Sequence, residues 1–295
     1  MSETASPAVQ RFEAALAAHR RQTLAASAIG WGAFVVCLAL ATWASEISLP
    51  RLFEGVGRLG DFFAQMLPTL EPDRLLADKK TEGSFAYWFY DIGDWAALLG
   101  QTVEIAILST AIGTVLAFLM SFPAARNLGL PAPVVWISRR FLEFCRTVPE
   151  LVTALIFVFA FGTGPLAGVL AIVIHTVGSL GKLFSEVVEN IDQRPLEGVE
   201  AAGGNWLETV RFAAVPQVLP GFASYALIRF EANVGAAAAI GIVGAGGIGM
   251  ELRAAIDLLL FQDALAMILM IIALIFVIDL VSEQIRHRLI GVEGS

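Results

Sequence analysis

Arg229 and Glu231 stand inside an otherwise apolar run, from about Val218 to Ile242. A guanidinium is a permanent, fork-shaped donor suited to carboxylates and phosphorus oxyanions. Arg229 can therefore touch an anionic solute in passage, with Glu231 setting its orientation or a gate. Equally, the two can be structural ion pairs. Residues two apart on a helix do not face one another, so each needs its own partner. His175, Lys182 and Glu186 in the preceding apolar run are candidates, and Lys182 and Glu186 are spaced to pair with each other. Arg146 and Glu150, flanking Pro149, are ambiguous in the same way.

Other chemistries lack their residues. His19, His175 and His287 are scattered, and Cys37 and Cys145 form no CxxC or Cys/His cluster, so no metal site is expected. Gly178–Lys182 reads GSLGK, too short for a phosphate loop, and Leu183 follows where Ser or Thr is needed. Gly244–Gly249 reads G-x-G-x-x-G but follows an apolar helix rather than a strand. Those glycines suit close helix packing or irregular backbone instead. No cofactor is expected, and an intramembrane enzyme lacks its His/Asp/Ser or metal constellation. An ion-coupled transporter using Arg229, Glu231, Lys182 and His175 as a proton relay is the competing reading.

The elements that position these residues follow from composition. Of 295 residues 57% are hydrophobic and 16% charged, against about 25% charged in soluble domains. Mean hydropathy is +0.74. Lipid is the solvent that accepts such a surface. A net charge of −8 argues against nucleic-acid partners. The expected fold is all-α and polytopic, with about six transmembrane helices: 24–44, 98–123, 146–162, 166–187, 218–242 and 264–281. Residues 1–23 carry Arg11, Arg20 and Arg21, and 286–295 begin Arg-His-Arg. The positive-inside rule puts both ends in the cytosol. Residues 45–97 hold nine acidic against five basic residues and are expected outside. Within them Leu52, Phe53, Val56, Leu59, Phe62, Phe63, Met66 and Leu67 recur at helical spacing, until Pro68. That helix packs on the protein's outer face or lies in the membrane interface.

The connection at 188–217 is polar and ends in Glu197–Pro220, EGVEAAGGNWLETVRFAAVPQVLP. Glu197–Ala202 predicts a short helix, Gly203-Gly204 a sharp turn. Asn205 can cap a second helix over 206–214, with Glu208 completing a capping box. Pro216 and Pro220 are expected to stop that helix and start the next span. The segment resembles the coupling loop of ABC importer permeases, the EAA loop. The family pattern has an acid, a glycine six positions later, and a proline thirteen after the glycine. Counting back from Pro216 assigns Gly203 and Glu197, so the visible EAA at Glu200 is out of register. This sequence departs from the pattern in reading Glu-Gly-Val, and Val-Pro in place of Leu-Pro.

The resemblance widens to phosphonate importer permeases over roughly 98–285. It rests on Pro216–Pro220, Tyr225, Arg229-Phe230-Glu231 with Asn233, and Gly241–Gly249. Arg146–Val152, Gly164–Gly168 and Gly181–Phe184 add to it. It implies a type I importer permease fold in the inner membrane and a non-catalytic subunit moving a phosphonate, phosphite or related oxyanion. The implied partners are a second permease copy, an ATPase dimer, a periplasmic substrate-binding protein and membrane lipid. It implies that Glu197, Gly203, Gly204, Pro216 and Pro220 couple to the ATPase. Arg229, Glu231, Asn233, Arg146 and Lys182 are the pathway or gating candidates.

Overall fold

The computed structural model describes residues 7–45 and 49–290. The ends of the expected cytosolic segment and tail, 1–6 and 291–295, lie outside the described residues, as do the side chains of Arg11 and Leu52. The chain forms two compact units, one up to Ala64 and one from Gln65 onward.

The first unit contains α1 (Pro7–Ala44) and nearly all of α2 (Leu49–Met66). From His19 to Ala44, α1 is long and apolar enough to cross a membrane, and no residue of its most apolar stretch is buried. Trp31, Phe34 and Trp43 project from it. A helix that is apolar all round requires an apolar surrounding. The expected amphipathic helix is α2. Phe53, Val56, Leu59 and Phe63 form one exposed apolar face, and Arg51, Glu54, Arg58 and Asp61 fall between them at the same period.

In the second unit a short α3 (Phe85–Trp88) leads into α4 (Ile92–Ala124). There follow α5 (Ala132–Thr147), α6 (Glu150–Phe161) and α7 (Pro165–Glu189). The loop helices are α8 (Arg194–Ala201) and α9 (Trp206–Thr209). Last come α10 (Val215–Gly241), α11 (Ile248–Asp257) and α12 (Phe261–Ile290). The described residues contain no strand.

The packed centre is α4 against α7, with α5, α6 and α10 around α7 and α12 against α10. Small residues permit it. A Cβ on Gly113 would lie 2.5 Å from Thr176, and one on Gly178 would lie 2.4 Å from the Arg146 backbone nitrogen. Lipid supplies no hydrophobic drive between helices, so close backbone approach is what holds them.

Among the described residues four helices are long and apolar enough to cross a membrane: α1, α4, α7 and α12. The third expected span differs from expectation. Only α6 falls wholly within 146–162, and it is preceded by α5, which sequence reading assigned to no span; the two helices meet at 84°. Proline disfavours the helical region for the residue before it. Val148 accordingly has ψ 122° and Pro149 ψ 137°, two extended residues that make the elbow. The fifth expected span is α10. Its 27 residues reach about 40 Å, with Arg229, Glu231 and Asn233 in the middle. Between it and α12, sequence reading left α11 unassigned, although Ile248, Leu252 and Ala255 are its buried, helix-spaced face. The last helix also runs further than expected, through Ile290, so Arg286 stands on it.

Candidate functional site

The loop between α7 and α10 forms as its residues dictate, with one exception. Gly203 has φ +86° and turns the chain out of α8. Its neighbour Gly204 lies so close to α8 that a Cβ would come within 2.5 Å of Val199. The capping box is complete. Asn205 accepts from the Glu208 backbone N–H at 3.1 Å, and Glu208 accepts from that of Asn205 at 2.7 Å. The exception is Pro216. The helix does not stop there: a π-helical stretch, Val210–Ala214, carries α9 into α10, and Pro220 lies inside α10. In an α-helix a proline ring clashes with the carbonyl four residues back. The wider turn relieves that clash ahead of Pro216, so loop and span are one continuous rod.

That rod is welded to the bundle. Leu196, Val210, Ala213, Ala214 and Val218 share a core with Phe184 and Phe222. The rings of Phe184 and Phe222 stack at 3.8 Å. Gln217 ties the loop's entry to its exit by accepting from the Asp192 N–H at 3.0 Å and donating to the Asp192 carbonyl at 3.2 Å. Glu197 and Gly203 face outward. So do Leu207 and Phe212, which sequence reading did not single out. Phe212 helps line a cleft of about 530 Å³ with Pro195, Val199 and Gly203. Their signal was available: an apolar residue on an exposed polar loop needs something to cover it.

The charges of the bundle find partners that local spacing did not indicate. Arg229 donates from Nη2 to Glu150 Oε1 at 2.5 Å, across from α10 to the first residue of α6. The same oxygen lies 3.6 Å from His175 Nε2 on α7. His175 Nδ1 is 3.4 Å from the Val148 carbonyl, so the ring spans the elbow. The Arg229, Glu150 and His175 side chains are 17–21% exposed. Of the candidate partners His175 belongs to this cluster, while Lys182 and Glu186 do not. Lys182 pairs with Glu143 on α5 at 3.3 Å rather than with Glu186, which is exposed. Glu231 pairs with Arg286 of α12 at 2.8 Å. Arg146 is exposed and makes no ion pair among the described residues.

Asn233 is fully buried. Its amide donates to Thr110 of α4 at 2.8 Å and to Thr176 of α7 at 3.0 Å. It thus joins three helices, and Thr176 in turn accepts from Arg229 Nε at 3.5 Å. A fully satisfied polar network in an apolar interior favours one arrangement of its helices.

At the far end of the bundle the glycine cluster serves both expected uses. A Cβ on Gly249 would lie 2.2 Å from the Ala238 carbonyl, and one on Gly168 2.4 Å from that of Ala245. The irregular backbone between α10 and α11 is satisfied by α4: Gln101 accepts from Gly247 N–H at 2.8 Å and Thr102 from Ile248 N–H at 3.0 Å. Irregular backbone at membrane depth persists only when buried and bonded in this way. A cleft of about 610 Å³ opens at this end, lined by Lys79, Glu82, Tyr87, Tyr90 and Asp263 among others. Tyr90 donates to Asp263 at 3.1 Å. Burial, then the Asp263 carboxylate, push its phenol up to about 12. Among the described residues no group of His, Cys, Asp and Glu is arranged to hold a metal ion.

Comparison with known proteins gives the chain a context. Residues 113–291 match the family described as binding-protein-dependent transport system inner membrane component. The chain is 32% identical to the putative phosphite transport system permease protein HtxC of Stutzerimonas stutzeri, over 95% of this chain and 94% of that one. It is 40% identical to the phosphite transport system permease protein PtxC of the same organism, over 66% of this chain and 70% of the other. The fold resembles a bacterial ABC transporter involved in the import of the acidic polysaccharide alginate, with TM-score 0.58 and 13% identity, covering 81% of this chain and 99% of that one. It also resembles the MetNI methionine ABC transporter, with TM-score 0.57 and 18% identity, covering 66% and 95%.

Proposed function

The chain belongs to the family of binding-protein-dependent transport system inner membrane components, and from that premise we propose that it carries phosphite, phosphonate or a related phosphorus oxyanion through an ABC importer. The observation that carries this reading is one continuous element: the capped, glycine-hinged loop passes without a break into α10, which bears Arg229. The phosphite relatives, at 32% and 40% identity, support the substrate class.

Two copies of the chain enclose one pathway. A separate ATPase dimer grips the loop at 188–217, through Glu197, the Gly203-Gly204 elbow and the exposed Leu207 and Phe212. Pro216 and Pro220 sit where the loop becomes span. A substrate-binding protein delivers the anion on the opposite side. The chain catalyses no covalent step and holds no cofactor. Both termini are cytosolic, 24–44 is the first span, 45–97 lies outside, 98–285 forms the transport domain and 286–295 ends it inside. ATP-driven closure of the ATPase moves the loop, and the welded rod transmits that motion to α7 and α10 as a shift between inward- and outward-open populations. Arg229 meets the anion in passage, with Glu231, Asn233, Lys182 and Arg146 as supporting or gating positions.

Growth of a strain lacking the chain, on phosphite, methylphosphonate or phosphate as sole phosphorus source, tests the substrate. Growth is expected to fail on at least one source and return with the gene. Unchanged growth on all three refutes the substrate class. If detergent-purified chain brings down no ATPase, the coupling assignment fails.

A further inference from the structure

We propose that Glu150 is a tethered stand-in for the transported anion: its carboxylate holds Arg229 while the site is empty and cedes the guanidinium to a tetrahedral oxyanion. This rests on the reading of the chain as an oxyanion permease and specifies where in the chain the anion binds.

The contact is only half of what an arginine fork can make. Nη2 reaches one Glu150 oxygen at 2.5 Å and Nε reaches Thr176 at 3.5 Å. Nη1 and Glu150 Oε2 have no hydrogen-bond partner among the described residues. A guanidinium that pairs carboxylates and phosphorus oxyanions bidentately thus has donors to spare. The cluster is not sealed either, since each of its three ionisable side chains keeps about a fifth of its surface exposed.

Glu150 is also placed to move. It is the first residue of α6, directly after the two extended residues of the elbow. Ala154 is the single buried residue of α6, whereas Leu151, Leu155, Ile156 and Phe159 are exposed. Ala154, Phe157 and Val158 anchor the body of α6 in the core, so the freedom to move lies at its first turn, beside the elbow. A carboxylate leaving Arg229 has a second partner within reach, His175 Nε2, 3.6 Å from the same oxygen. Thr176, by contrast, is fixed by the buried Asn233. The receiving side is rigid and the occupying side is hinged.

Electrostatics gives the arrangement its reason. An unpaired guanidinium at membrane depth is costly, and an arginine with no counter-ion would trap an anion and not release it. Exchanging one anion for another keeps the guanidinium paired throughout, and the displaced carboxylate, still tethered nearby, repels the bound anion. Binding is then weak enough to leave, which a pathway site requires.

The test uses the permease with its ATPase in nanodiscs, with phosphite, methylphosphonate and sulfate as probes, by calorimetric titration. Glu150→Gln keeps shape and removes the competing charge. It is expected to tighten oxyanion binding by about tenfold, equal to about 1.4 kcal/mol, and to slow uptake. Adding Arg229→Gln should abolish the gain. Glu150→Asp, which keeps the charge on a shorter arm, should give a smaller gain and serves if the glutamine variant is unstable. Affinity unchanged in both Glu150 variants, or a gain that survives Arg229→Gln, overturns the proposal. A gain confined to sulfate leaves the stand-in intact and refutes the phosphorus substrate. Unchanged affinity alongside normal phosphite uptake refutes the stand-in and leaves the transport reading standing.

Discussion

The 190–217 loop and the cluster around Arg229 are built in opposite ways. In the loop, partners lie within the segment itself: Asn205 bonds Glu208 and Gly204 packs on Val199, three and five positions apart, and Gln217 closes on Asp192 across the loop's own ends. In the cluster, Arg229 reaches Glu150, 79 positions away, and Asn233 reaches Thr110, 123 positions away. Local bonds make a part that keeps its shape while moving as a body. Long-range bonds make a junction whose state depends on how whole helices sit. The lever and the gate proposed above need these two properties respectively.

That contrast predicts where each variant does its damage. The largest effect is expected from Arg229→Met. It leaves Glu150 without its guanidinium, a loss of up to about 3–5 kcal/mol for a buried pair, and less here because the pair is partly exposed. Thermal unfolding in nanodiscs should fall and uptake should drop sharply, while co-purification with the ATPase persists. Full uptake with unchanged unfolding temperature would remove Arg229 from both roles.

Asn233→Leu comes next, at about 1–3 kcal/mol, because Thr110 and Thr176 each lose a buried partner. Its unfolding temperature should fall without loss of ATPase association. A stable variant with altered transport kinetics would instead give Asn233 a direct part in passage.

Gly203→Val acts on the other side of the comparison. A β-branched residue at φ +86° costs about 1–2 kcal/mol, enough to move the elbow. Uptake and substrate-stimulated ATP hydrolysis should fall together, with a smaller drop in unfolding temperature than Asn233→Leu gives. Normal ATPase association with normal transport would refute the lever. The smallest effect belongs to Asn205→Ala, about 1 kcal/mol from loss of the cap, read as partial uncoupling of hydrolysis from uptake. If this variant destabilised the bundle as much as Asn233→Leu, loop and cluster would not be separable.

The same contrast explains what could be read in advance. The capping box, the glycine turn, the apolar spans and the amphipathic α2 were legible because each depends on neighbours within about four positions. The break at Pro149 was written locally but not its angle, since 84° reflects how α5 and α6 separately pack on α7. Pro216 misled because helix-breaking is a rule for α-turns, and a π-turn evades it. The pairing of Lys182 followed the same pattern: Glu186 is four residues away, yet Glu143 takes it once α5 lies against Gly178 and Gly181.

Composition and periodicity thus determined by themselves that this chain is helical, membrane-spanning and equipped with a glycine-hinged loop, because burial of backbone in lipid allows few alternatives. Only the tertiary structure decided that Arg229 faces Glu150, that His175 spans the elbow, and that the loop continues unbroken into α10. A buried charge declares in sequence that it needs a partner, but which helix supplies one depends on the packing of residues far apart in the chain.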